Sequence, residues 1–267
     1  MPFNLDAYLA RIGWEGPLDA TLPTLSGLMR AHMRAIPFEN LDVLLGRGIR
    51  VDLEGVFAKL ITARRGGYCF EHSTLLSAAL ERAGFEPVAH CARVVMAVPR
   101  TSAPRTHMFL TVSIDGTPYV LDPGFGGHGP LVPLPLVENQ ETREGPDVHR
   151  FVRHGREWAL ETSLDGVMAP LWMSTLEAES PIDFVMANHF TSTWPESPFV
   201  NRLMLRALTS DGRVSVMNRD VTVLRGAASE TRELADRTAL RQLLVEHFGF
   251  DLPEAERLRV PAIPDWP

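Results

Sequence analysis

Cys69 is the first residue in this chain whose type and setting suggest chemistry. It follows Arg65-Gly66-Gly67-Tyr68 and opens a run in which Leu75, Leu76, Ala79, Leu80 and Ala83 recur at helical spacing. A thiol at a helix N-terminus meets the partial positive charge of unpaired N–H groups, which favours its thiolate. The two glycines permit a tight approach turn, while Glu71 nearby opposes the dipole. The same residue also reads as a small buried apolar side chain, a frequent fate of cysteine. A nucleophilic cysteine additionally needs a base.

A hairpin supplies one. Residues 106–114 (THMFLTVSI) and 117–122 (TPYVLD) are strand-like, and Asp115-Gly116 between them is a two-residue turn signal. That turn sets Ile114 opposite Thr117, Phe109 opposite Asp122 and His107 opposite Gly124. His107 and Asp122 then share a face as diagonal neighbours, about 7–8 Å apart at the backbone. Met108, Leu110, Val112 and Ile114 form a core stripe on the other face. A three-residue loop would break this parity. The carboxylate would orient the imidazole and favour its protonated form, which in turn supports a thiolate, as in a Cys-His-Asp triad. The plainer reading is a polar pair on a solvated strand face. Cys91, mid-strand among valines and alanines, has no comparable setting.

The elements that must position these residues fall into three runs. The first ~85 residues read as helical by period. Asp52 caps a helix carrying Val56, Phe57, Leu60 and Ile61, and a second helix starts near Cys69 and stops at Gly84. From Pro87 the period changes to two, with strands expected at 87–98, 106–114, 117–122, 150–161 and 168–174. Residues 124–146 are rich in Gly and Pro and read as loop or short edge strand. A short helix is expected at 181–190, strands at 200–208, 213–217 and 220–225, and a last helix over 236–248 ended by Gly249. The tail after Asp251 holds four prolines and is expected to lie over the surface. The fold class is α+β in three parts, divided as 1–85, 86–190 and 191–267.

Composition narrows the partners. Among 267 residues, Lys+Arg is 26 and Asp+Glu is 33, for a net charge of -7. That balance, without a basic run, argues against nucleic acid or anionic membrane as the main partner. No stretch approaches ~20 apolar residues, so no membrane helix is expected. The start, MPFNLDAYLARIGWEG, lacks the parts of a secretory signal, and a cytoplasmic location is expected. Two cysteines exclude a disulfide scaffold. Free thiols are the expectation and a Cys69–Cys91 bridge the alternative. No metal site is expected. Gly124-Phe125-Gly126-Gly127-His128-Gly129 satisfies G-x-G-x-x-G, but Pro130-Leu131-Val132-Pro133 cannot open the helix a dinucleotide site requires. Those glycines are expected to admit a ligand or another chain segment close to the backbone. His72, His90, His128 and His189 read as surface or hydrogen-bonded core histidines.

The segments Arg65-Gly66-Gly67-Tyr68-Cys69-Phe70-Glu71, Ile36-Pro37-Phe38-Glu39-Asn40-Leu41, Thr106-His107-Met108 and Asp122-Pro123-Gly124-Phe125-Gly126-Gly127 resemble, in order and spacing, the arylamine N-acetyltransferases. The resemblance is strong over residues 5–130 and continues weakly through Asn188-His189-Phe190 and Ser192-Thr193-Trp194-Pro195. It implies an N-terminal helical bundle, a central β-barrel and a C-terminal α/β lid around a cysteine-protease-like Cys-His-Asp core. It implies Cys69, His107 and Asp122 as the catalytic residues, and Phe38, Val95, Phe125 and Met204 as walls of the amine pocket. It places Gly126 and Gly127 near the coenzyme A entrance, with acetyl-CoA as cosubstrate and a small aromatic amine or hydrazine as acceptor. Two positions depart from the family pattern: Ser73 stands where Asn is usual, and Pro123 removes a backbone N–H beside Asp122. Two other readings use the same residues: a cysteine hydrolase or transglutaminase-like enzyme, and a non-catalytic aromatic-ligand-binding protein.

Overall fold

Helix starts in the first third follow the capping side chains. In the computed structural model, which describes residues 3–145, 147–164, 166–226 and 228–267, Asn4 caps α1 (Leu5–Ile12) and Thr21 caps α2 (Leu22–Ala35). A two-residue strand, β1 (Phe38–Glu39), interrupts the helical run before α3 (Leu41–Leu44). Asp52 accepts from the Gly55 N–H and starts α4 (Leu53–Phe57), which continues as a π turn to Thr62. Each such cap is worth about 1 kcal/mol. Then α5 (Cys69–Arg82) begins at Cys69, and Gly84 follows its end at φ +86°, a conformation that costs a residue with a Cβ. Leu75, Leu76, Ala79 and Leu80 are all buried in a core shared with Tyr8, Leu25, Met29 and Met108.

The middle of the chain is an antiparallel sheet. Its strands are β2 (Val88–Val94), β3 (Arg105–Ile114), β4 (Thr117–Leu121), β5 (Leu134–Pro135), β6 (Thr142–Glu144), β7 (Asp147–His154), β8 (Glu157–Leu164) and β9 (Val167–Ser174). Their order, β5-β4-β3-β2-β9-β8-β7-β6, forms a nearly closed barrel sheet. The β3–β4 register pairs Ile114 with Thr117, Val112 with Tyr119 and Leu110 with Leu121, as the Asp115-Gly116 turn requires. The face carrying His107 is not solvated. Phe109, Phe151, Leu160, Leu171 and Trp172 form a second core on that side, so both faces of β3 are buried and the plain surface reading of the His–Asp pair falls.

Beyond the barrel, α6 (Pro181–Thr193) runs three residues further than its expected end, so the division drawn at 190 falls inside it. Then α7 (Pro198–Asn201) occupies the start of the run expected as strand from 200, because Ser197 caps it and Pro198 fits its first turn. The strands β10 (Met204–Leu208), β11 (Gly212–Met217), β12 (Asp220–Arg225) and β13 (Ala228–Glu233) follow. They form a second sheet in the order β1-β10-β11-β12-β13. β13 is exposed throughout, so it lacks the alternation that marks a strand. The last helix, α8 (Arg237–Leu243), turns into a π turn through Phe248. The Pro-rich tail does not simply cover the surface. Leu252, Ala255, Leu258, Val260 and Trp266 are buried with Leu205, Val214, Leu240 and Leu244 in a third core. Among the described residues, no helix is long and apolar enough to cross a membrane.

Candidate active site

Cys69 is the first residue of α5, after an extended Tyr68. Its own N–H and that of Phe70 sit in the first turn, where a helix offers no internal acceptor. Glu71 does not oppose this end by facing Cys69. It folds back to accept from the Tyr68 N–H at 3.1 Å and from Lys59 Nζ at 2.8 Å. Burial pushes its carboxyl up to about 7, against the pull of Lys59. Lys59 also lies 3.1 Å from Asp42, and Arg65 lies 2.6 Å from Glu39 and 3.4 Å from Asp42. This buried network fixes the approach to Cys69. Gly67 donates to the Pro37 carbonyl at 3.2 Å and accepts from the Glu39 N–H at 2.8 Å, so the Arg65–Tyr68 and Ile36–Leu41 motifs lie side by side. Both cysteines are free thiols. Cys91 is buried in β2, where desolvation pushes its thiol up to about 11 and so against ionisation.

The sulfur of Cys69 lies 4.0 Å from the Thr106 carbonyl, one residue before His107. His107 Nε2 hydrogen-bonds Asp122 Oδ2 at 2.9 Å, and the nearby Cys69 side chain adds to the influences that raise the His107 pKa. With Nε2 on Asp122, Nδ1 is the nitrogen left for the sulfur. Both His107 and Asp122 are buried. Burial alone would lower the His107 pKa, but the Asp122 charge and hydrogen bond, with the contribution of Cys69, outweigh it and push His107 up to about 10. The imidazole is therefore charged at neutral pH. Trp172 Nε1 donates to the same Asp122 oxygen at 2.9 Å, while Asp122 Oδ1 has no partner among the described residues. Trp172 stacks on Phe109 at 4.4 Å between ring centroids, which holds the indole in register with the carboxylate.

The segment after Asp122 roofs the site. A Cβ on Gly124 would come within 2.5 Å of the Cys69 Cα, so only glycine allows this approach. The Phe125 ring stands edge-on to His107 at 5.1 Å. Gly126 lies against the Phe38 ring, where a Cβ would sit 3.1 Å from three ring atoms. The glycines thus bring the backbone against another chain segment, and no helix follows them. Phe38 also lines a small cavity with Gly126, Pro123 and Arg206. Val95 is half-buried just beyond β2, its N–H on the Leu171 carbonyl at 2.9 Å. Met204 opens β10, its N–H on Asn40 Oδ1 at 2.9 Å, and packs against the core that holds Cys69. Gly127 has positive φ in the turn beside Gly126. Ser73, at a position departing from the family pattern, donates to the Met108 carbonyl at 3.1 Å and so ties α5 to β3.

Sequence reasoning missed three groups. Trp172 and Arg206 were each visible only as members of expected strands, and nothing local in sequence pairs them with Asp122 or Gly126. The third is a buried chain through Tyr8, His32 and His72. Tyr8 Oη lies 3.1 Å from His32 Nδ1, His32 Nε2 lies 2.9 Å from His72 Nδ1, and His72 Nε2 lies 3.3 Å from the Pro37 carbonyl. A carbonyl only accepts, so His72 Nε2 carries the proton, His32 Nε2 donates to His72, and Tyr8 donates to His32. His72 is thus a satisfied core histidine, as is His90, bonded to the Glu177 carbonyl and to Thr111. Among the described residues, no group of three or more His, Cys, Asp or Glu side chains is placed to hold a metal ion.

Comparison with known proteins places this geometry. Residues 21–257 match the profile of an N-acetyltransferase family. An arylamine N-acetyltransferase of Mycolicibacterium smegmatis is 38% identical over 259 residues, covering 94% of each chain. That of Escherichia coli K12 is 35% identical over 256 residues, covering 94% of this chain and 90% of the other. The solved arylamine N-acetyltransferase of Salmonella typhimurium superposes with a TM-score of 0.90 at 33% identity, over 95% of this chain and 96% of that one. The Mycobacterium marinum enzyme in complex with CoA does so with a TM-score of 0.89 at 32% identity, over 94% of each. Likeness of this extent, along nearly the whole chain and in both sequence and structure, means that this protein belongs to the arylamine N-acetyltransferase family.

Proposed function

We propose that this protein moves an acetyl group from acetyl-CoA to the nitrogen of an arylamine or arylhydrazine, in two steps through an acetyl-cysteine on Cys69. The observation that carries the reading is a buried His107 bonded to Asp122 at 2.9 Å, with the Cys69 sulfur 4.0 Å from the Thr106 carbonyl one residue before it. In the first step the Cys69 thiolate attacks the thioester carbonyl. The bond to the coenzyme A sulfur breaks, and His107 gives that sulfur its proton. In the second step the amine nitrogen attacks the acetyl-cysteine, His107 takes the amine proton, and sulfur leaves as the thiolate. Asp122 holds the ring in place through both steps and stabilises its charge whenever it carries the proton. The N–H groups of Cys69 and Phe70, in the first turn of α5, are assigned to stabilise the developing oxyanion.

Phe38, Val95, Phe125 and Met204 are assigned to the amine pocket, and Gly126 with Gly127 to the coenzyme A entrance. The CoA complex of the Mycobacterium marinum relative supports the donor. The division into a nucleophile-bearing bundle, a barrel with the base and acid, and a lid belongs to the same reading, as does a cytoplasmic location.

The test is an intact mass after mixing with acetyl-CoA and no acceptor, beside a Cys69→Ala control. One acetyl group is expected on the protein, absent in the control and discharged by an added arylamine. An unchanged mass without release of coenzyme A would sink the reading. Fast discharge to water or lysine instead would point to the hydrolase or transglutaminase alternative.

A further inference from the structure

Arg206 is a buried cation that stability does not explain. It lies in β10 directly opposite Phe38 of β1 and is 4% exposed. Its Nη1 donates to the Gly126 carbonyl at 2.7 Å and lies 3.5 Å from the Gly129 carbonyl. Nε and Nη2 have no partner among the described residues. Of the acidic side chains whose charges reach it, Asp147 is paired with Arg213, Glu144 with Arg30 and Asp122 with His107. A buried guanidinium without a carboxylate is costly. A methionine or leucine of similar volume would pack the same space without that cost, so what Arg206 contributes is its grip on the carbonyls.

Those carbonyls belong to the roof of the site. Gly124 rests on Cys69, Phe125 on His107 and Gly126 on Phe38. Gly126 closes a turn by accepting from the Gly129 N–H at 2.9 Å, and Arg206 takes its second lone pair. On its far side the turn is held by His149 Nε2, which donates to the His128 carbonyl at 2.8 Å. The turn is therefore pinned between barrel and lid sheet. A cavity of about 20 Å³, lined by Arg206, Phe38, Pro123 and Gly126, gives the turn room to settle if the Arg206 bond is lost.

We infer that Arg206 is a positioning residue for the acyl donor: by holding the Gly126 carbonyl to the lid sheet, it sets how the Gly124–Gly127 segment lies over Cys69 and His107. The inference rests on the acetyl-transfer reading above. A bulky thioester must thread past this segment, whereas a small donor need not. The two classes of donor therefore separate positioning from general damage.

The experiment compares Arg206→Met and Arg206→Lys with the unaltered protein, using acetyl-CoA and p-nitrophenyl acetate as alternative donors to Cys69. Lysine keeps one donor for the Gly126 carbonyl and methionine keeps none. With Arg206→Met, KM for acetyl-CoA should rise about tenfold or more. Acylation by p-nitrophenyl acetate and alkylation of Cys69 by iodoacetamide should stay within about twofold. Arg206→Lys should fall between, recovering at least half of the loss on a logarithmic scale. Equal losses with both donors, or no loss with acetyl-CoA, would overturn the assignment. If Arg206→Met does not fold, Arg206→Lys carries the test alone, and an unchanged acetyl-CoA KM there overturns it. Failure of the unaltered protein to be acetylated by acetyl-CoA would instead be a failure of the functional reading.

Discussion

His107 and His72 are both buried, one 3% and the other 1% exposed, yet their pKa values move in opposite directions, leaving one ring charged and the other neutral. Desolvation disfavours the charged ring in each case. For His107 the Asp122 carboxylate wins and the pKa rises to about 10. For His72 the partners are neutral, the Pro37 carbonyl and His32, and Lys59 and Arg11 add repulsion, so the pKa falls to about 4. Burial thus raises the stakes of a histidine, and the partner decides its sign. The two rings serve different ends accordingly. In the proposed reaction the charged one serves the Cys69 nucleophile. The neutral one spans helices as a plain donor and acceptor, joining α1 and α2 to α5 and to the Pro37–Phe38 segment.

Their effects on stability have opposite slopes with pH. Between pH 6.5 and about 10 folded His107 holds a proton that the unfolded chain has lost. Its ion pair contributes fully below pH 6.5 and is lost as pH rises through 10. Between about pH 4 and 6.5 the unfolded chain binds a proton that folded His72 refuses, so stability grows with pH across that window. Glu71, raised to about 7, adds to the decline above pH 4.5 and softens the gain from His72. The expected stability profile is a broad maximum near pH 6, which urea melts at several pH values would trace.

The largest expected break is Asp122→Asn. The amide keeps the shape and removes the charge that holds His107 protonated. Acyl transfer at pH 7 should fall by roughly 10³–10⁴, the scale of such a change in a related triad. The His107 ring should titrate well below 10 by NMR, and the alkaline limb of the stability profile should flatten. Full activity in this variant would remove Asp122 from the triad. Next comes Trp172→Phe, which keeps the stack on Phe109 and deletes the N–H on Asp122 Oδ2. A hydrogen bond to a charged group is worth about 1.5–3 kcal/mol. A loss of about tenfold in kcat is expected, with KM for the amine within twofold. An unchanged kcat would leave Trp172 a member of the barrel core and nothing more.

The contrast between the two histidines was only half legible in the sequence. The Asp115-Gly116 turn fixes the β3–β4 register, and parity alone then puts His107 and Asp122 on one face. The helix starts at Asp52 and Cys69 were equally local, set by a cap and a period. His32 and His72 are 40 positions apart on different helices, and no spacing rule links them. Trp172 reaches Asp122 across 50 positions, and Arg206 reaches Gly126 across 80. Such contacts depend on how three cores assemble. The exposed strand β13 was lost for the opposite reason. It buries nothing and so shows no alternation.

A smaller effect is expected from His72→Gln. Glutamine retains a donor for the Pro37 carbonyl but not the acceptor that Nδ1 offers His32. Leaving the His32 Nε2–H unpaired should cost about 1–3 kcal/mol at pH 7, read from urea unfolding. The variant should also lose part of the rise in stability between pH 4 and 6.5. A slope equal to that of the unaltered protein would assign that limb to another group, of which His32, also held well below its ordinary pKa by burial and by His72, is the first choice.

The smallest effect tests which end of the neutral chain sets its direction. Tyr8→Phe removes the hydroxyl on His32 Nδ1 and leaves the buried ring in place. If the Pro37 carbonyl imposes direction, His72 must keep its proton on Nε2, and His32 must keep donating from Nε2 whether or not Tyr8 is present. Stability should then drop by about 1 kcal/mol, the cost of one unpaired acceptor, and acyl transfer should stay within twofold. Nitrogen chemical shifts should report the same tautomers for both rings. A swap to the other tautomer in either ring would mean that Tyr8, not Pro37, directs the chain. His72 would then lose its donor to Pro37, and the anchoring of the Phe38 segment would depend on a hydroxyl on α1.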